Sequence, residues 1–144
     1  MKPRRGRGVE AGGRRVRSLG AGRKSRRSLA AGGTGPAALL NELLGTWPRV
    51  KITPMFGRWG YFVGPRLFAC FPLRAKDTDL WIRLTAADQR AGLAAGLLPH
   101  RRMASAGWVE CGVLSRQDVG LATRWLRRAY ETARRIVEGE ERGT

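Results

Sequence analysis

The stretch "SRQDVGLATRWLRRAYETARRIV", residues 115 to 137, constrains the fold most. Val119, Ala122, Leu126, Ala129, Tyr130, Ala133 and Val137 recur on one face at helical spacing, and Ser115 with Asp118 supplies an N-terminal cap. A helix of this length with a continuous apolar stripe must lie on something apolar. Arg124, Arg127, Arg128, Arg134 and Arg135 occupy much of its remaining surface and read as a solvated charged face, with a nucleic-acid stripe as the competing reading.

What the helix lies on is written upstream. "RVKITPMF" alternates Val50 and Ile52 with Arg49, Lys51 and Thr53, the period of a half-buried strand. "WGYFVG", "RLFACF" and "LWIRL" follow, separated by the turn-like Gly64-Pro65 and "PLRAKDTD". "WVECGV" is a fifth strand. "PAALLNELLGTW" predicts a first helix through Leu39, Leu40, Leu43 and Leu44, stopped at Gly45. A second helix is capped by Thr85 with Asp88 and closes at Gly96, leaving 97 to 107 as a loop. The order predicts an α+β domain: an antiparallel sheet of about five strands covered by helices, ending on a long C-terminal helix.

The chain of 144 residues has room for one such domain, placed at 35 to 144. Lys and Arg number 28 against 11 Asp and Glu, a net charge of +17. Residues 1 to 34 hold eleven of the bases and only Glu10, so that +10 lies there and +7 (17 minus 10) in the rest. This Arg- and Gly-rich segment has too few large apolar side chains to fold and is expected to be a disordered basic tail, with non-specific nucleic acid as its possible partner. Its composition is like that of a transit peptide but lacks the apolar face of one. No apolar run is long enough for a membrane span, and a cytoplasmic protein is expected.

Chemistry is sparse. Cys70 and Cys111 lie in apolar strands without CxxC spacing, which predicts two small buried hydrophobes and no metal site. Asp77 and Asp79 read as turn carboxylates, and "MFGRWG" as a tight turn or bulge and not a phosphate loop. The five tryptophans are expected mostly in the core, Trp108 as an anchor where the fifth strand meets the last helix. No catalytic residue is assigned. His100, the only histidine, is the one candidate; it is read as a loop or pocket-rim residue without catalytic duty. Phe56, Arg58, His100, Arg101 and Trp108 are the expected ligand-binding residues, and no cofactor is expected.

The segment "MFGRWGYFVGPRLFACF", with "LWIRL", "TAADQRAGLAAG" and "WLRRAYETAR", resembles the small α+β family of the TfoX/Sxy N-terminal domain and its MmcQ/YjbR-like relatives over residues 54 to 135. "PHRRMASAGWVECGVLSRQDVGLATRWLRRAYE" and "LLGTWPRV" resemble the bacterial luciferase-like domain, relatives of fungal luciferase. Its motif is matched by Trp47, Pro48, Val50, Phe56, Gly57, Pro99, His100, Gly107, Trp108, Val109, Asp118, Leu126, Arg127 and Tyr130. "FACF" stands in place of that family's His-x-His pair, and Ala106 in place of a serine. The function expected is a binding or regulatory module for a protein, a nucleic acid or a small anionic ligand. The luciferase resemblance implies the alternative, a cofactor-free oxygenase of an aromatic or enol substrate.

Overall fold

The computed structural model describes residues 35–74 and 76–143; the basic segment 1 to 34 lies outside the described residues. The elements are α1 (Pro36–Leu44), β1 (Val50–Met55), β2 (Arg58–Val63), β3 (Arg66–Pro72), β4 (Asp79–Arg83), α2 (Ala86–Ala94), β5 (Leu98–Pro99), a 3-10 turn (Ala104–Ala106), β6 (Trp108–Gly112) and α3 (Arg116–Gly143). The fold is α+β, with an antiparallel six-stranded sheet in the order β1-β2-β3-β4-β6-β5. The strand beyond the expected five is β5, two residues inside the span read as loop, paired through Leu98 with Glu110 and Pro99 with Val109. Two residues are too short to display an alternation, so no periodicity marked it.

Chain order becomes sheet order through β4, where the meander stops. After β4 the chain leaves through α2, returns as β5 at the edge, and inserts β6 between β4 and β5. Both later helices begin where side chains satisfy exposed amides: the Asp88 amide donates to Thr85 Oγ1 at 3.1 Å and the Asp118 amide to Ser115 Oγ at 3.3 Å. At the second cap the carboxylate returns the bond one residue further out, Asp118 Oδ2 accepting from the Leu114 amide at 2.9 Å.

One face of the sheet meets the helices. Tyr61 and Val63 of β2, Phe68, Ala69 and Phe71 of β3, Leu80 and Ile82 of β4 and Val109 of β6 form one core with Leu126, Ala129, Tyr130 and Ala133 of α3. A register shift between Tyr61 and Phe62 pairs them with Ala69 and Leu67, leaving Phe68 as the extra residue. That bulge explains how consecutive Phe68 and Ala69 both join the core, Phe68 lying 5.9 Å from the Tyr130 ring. Two buried phenols are anchored: Tyr61 donates to Asn41 Oδ1 at 2.7 Å and Tyr130 to the Pro48 carbonyl at 2.8 Å. Burial pushes the Tyr61 hydroxyl far above its usual range, so it stays a donor.

The β1–β2 turn consists of Phe56 and Gly57, both at positive φ (49° and 78°), confirming the tight turn read from "MFGRWG". Phenylalanine is poorly suited to this backbone region, and its ring is 96% exposed. Phe56→Asn should therefore raise stability by about 1 kcal/mol in urea unfolding; a lowered midpoint would mean that the ring packs on the protein in solution. Among the described residues no helix is long and apolar enough to cross a membrane.

Candidate functional site

Alternation assigns the other sheet face. Because Leu80 and Ile82 enter the core, Trp81 points away from it, and the register carries a single row across the sheet: Thr53, Gly60, Cys70, Trp81, Glu110 and Leu98. Gly60 is roofed by its neighbours, since an added Cβ would come within 2.9 Å of both Met55 Sδ and the Phe62 ring and 3.3 Å of Leu67. This face thus bears an apolar cluster beside an indole. Burial pushes the Cys70 thiol up despite the nearby Arg58 guanidinium, which disfavours its thiolate.

Trp81 is gripped by two basic side chains. The Arg58 guanidinium carbon lies 3.5 Å from the centre of the indole, and His100 stands edge-on with ring centroids 4.3 Å apart at 78°. Arg58 is fixed there by Asp79, its Nη1 donating to Oδ2 at 3.4 Å and its Nη2 to the Asp79 carbonyl. Asp79 is therefore a partner of Arg58, while Asp77 is exposed; among the described residues no three His, Cys, Asp or Glu side chains come together as metal ligands.

His100 is 7% exposed, so the loop holds it inside and not on a rim. Its amide donates to the Trp108 carbonyl at 3.2 Å, and its Nδ1 accepts from the Arg102 and Met103 amides, each at 3.1 Å. An Nδ1 occupied by two donors carries no proton, so the neutral ring bears it on Nε2. Among the described residues Nε2 has no hydrogen-bond partner; nor have Trp81 Nε1 and Arg58 Nε, and all three are buried. All three are N–H donors, and all belong to the group assembled on Trp81.

Of the expected ligand-binding residues, Arg58 and His100 are brought together. Trp108 is buried, 7% exposed, and pairs with Arg83 on the sheet face opposite Val109 and the core cluster that contains it. The expected anchor between β6 and α3 is thus corrected: alternation turns Trp108 away from α3, and its main chain ties down the loop, its carbonyl also accepting from Gln89 Nε2 at 3.4 Å. Phe56 at the hairpin tip and Arg101 in the loop are exposed, and among the described residues no hydrogen bond, ion pair or ring contact joins them to the cluster. Trp81 is the residue that sequence reasoning did not single out, since the five tryptophans were expected mostly in the core. The signal was there in "LWIRL", where Leu80, Ile82 and Leu84 on one face leave Trp81 with Arg83 on the other.

Compared with known proteins, the chain matches no family model, no curated protein and no solved structure.

Proposed function

We propose that this protein is a binding module that takes a small ligand with a carboxylate, or a comparable singly charged oxygen acceptor, against the helix-free face of its sheet. The observation that carries the reading is the set of three buried N–H donors, at Arg58, Trp81 and His100, that have no acceptor among the described residues. A buried donor left without an acceptor costs about 1 to 3 kcal/mol; Arg58 and His100 lie against the indole and cover these donors, so a ligand oxygen removes that cost by displacing what covers them. The half-buried Met55, Phe62 and Leu67 extend the same face with apolar surface suited to the body of the ligand.

Charge narrows the ligand. Asp79 already balances Arg58, and Glu110 lies directly across from Trp81 in the register. A doubly charged phosphate meets that carboxylate unfavourably, whereas a monoanionic aromatic carboxylate does not need to bring a second charge. The donors favour binding over the oxygenase alternative. A base at His100 needs an unprotonated nitrogen facing the substrate, and here Nδ1 is taken by two amides while Nε2 holds the proton. The luciferase-like resemblance belongs to this proposal through its Pro-His pair, Pro99 and His100.

The test is a titration with benzoate, acetate and inorganic phosphate, followed by the side-chain N–H resonances of Trp81 and His100. Benzoate should shift both together, more strongly than phosphate. Trp81→Phe, which keeps a ring and deletes the N–H, should weaken benzoate about 10-fold, the order of one hydrogen bond to a charged group. Glu110→Gln should tighten it about 5-fold, for roughly 1 kcal/mol of relieved repulsion. Absence of any shift at millimolar benzoate refutes the reading.

A further inference from the structure

The five arginines in the middle of α3, from Arg124 to Arg135, divide into two groups. Arg134 is bound by Glu138, its Nη2 3.0 Å from the carboxylate, and Arg128 by Asp88 of α2 at 2.7 Å. Arg124, Arg127 and Arg135 have no ion pair among the described residues. Their support is aromatic or neutral. Arg127 lies 4.2 Å over the Trp47 ring, Arg124 4.7 Å over Trp125, and Arg135 donates to Thr132 Oγ1 at 3.3 Å. Two indoles thus fix two guanidiniums without neutralising them.

These side chains line an open depression of about 470 Å³ with Asp88, Arg128, Glu131 and Thr132. Four arginines against two acids leave its lining positive. The electrostatics of the helix itself does not account for this placement. A helix is stabilised by cations near its C-terminus, yet the last turns of α3 carry Glu138, Glu140 and Glu141 against Arg142, and the arginines without an ion pair among the described residues lie in its middle. From Arg124 to Arg135 the helix rises about 16 Å, the rise of roughly five phosphates along one strand of a nucleic acid.

We propose that this face of α3 binds the phosphodiester backbone of nucleic acid, with Arg124, Arg127 and Arg135 as the residues that meet phosphate. The site is built from residues of α2 and α3 and shares none with the donor cluster around Trp81. Planar guanidiniums offer paired N–H groups that match phosphate oxygens, and their stacking on indoles reduces the entropy lost when they engage. Backbone recognition of this kind carries no base preference.

The experiment measures binding of the full chain to a fluorescent mixed-sequence duplex by anisotropy, between about 50 and 200 mM salt. It compares the native chain with Arg124→Gln/Arg127→Gln/Arg135→Gln. The triple variant should bind more weakly and lower the slope of log affinity against log salt by about 2 to 3, close to 0.9 for each phosphate no longer neutralised. Equal slopes for the two proteins overturn the proposal and leave any binding to the N-terminal segment. Because Arg127 rests on Trp47, Arg124→Gln/Arg135→Gln is measured as well; it leaves that stacking intact and should still lower the slope by about 1 to 2. No change in the double variant is equally fatal.

Discussion

Gly107→Ala is expected to destabilise the protein by about 3 to 4 kcal/mol, enough to remove much of the stability of a domain this size. Gly107 follows the 3-10 turn with φ 97°, a region that costs an L side chain roughly 1 to 2 kcal/mol. A Cβ there would also lie 2.1 Å from the Leu84 carbonyl oxygen, which is main chain and cannot rotate away. The only relief is to separate β4 from the loop. That separation breaks the 3.0 Å bond from the Leu84 amide to the Gly107 carbonyl and disturbs a core residue at the same time. Urea unfolding gives the stability. Nuclear magnetic resonance of the Trp81 and His100 N–H groups tells whether the loop has moved, since His100 is suspended from the Met103 and Trp108 main chain beside this glycine. A loss below about 1 kcal/mol, the usual scale for exposed substitutions, would mean that the loop does not hold this backbone in solution.

The second large effect is at Phe68, which is 1% exposed and packs against Tyr130 of α3 with ring centroids 5.9 Å apart and the planes tilted at 57°. Phe68→Ala should cost about 3 to 5 kcal/mol, combining the burial removed with the cavity left behind. The bulge makes this residue sensitive: it supplies the side chain that joins β3 to α3, and its neighbours are held by the register on both sides. Phe68→Leu should recover more than half of the loss, because it refills most of the volume. If Phe68→Ala costs less than about 1 kcal/mol, the packing of sheet on helix does not depend on the bulge.

Most of the fold was legible because its elements repeat at periods that side-chain burial enforces. The stripe from Val119 to Val137 permitted only a helix with one buried face, and the alternation in "RVKITPMF" and "LWIRL" permitted only strands. Thr85 and Ser115 announced the helix starts through local hydrogen bonds that need no distant partner. Among the site residues, Arg58 and His100 stood out by type, a basic residue in a turn and the sole histidine. Trp81 did not, since a tryptophan between leucine and isoleucine reads as core unless the direction of each strand face is known.

By itself, the sequence determined which of the longer segments are helix or strand, which face of the last helix must be buried, and a charge excess that is greatest before residue 35. Only the tertiary structure decided that β6 inserts between β4 and β5, that Arg58 reaches past β3 to lie on Trp81, and that a loop brings His100 to the same indole with its donor nitrogen unsatisfied. The division has a physical cause. Periodicity and capping are properties of neighbouring residues and are written at short range. Strand order, register and the meeting of residues 58, 81 and 100 depend on long-range packing, in which the buried faces of the whole chain are satisfied together.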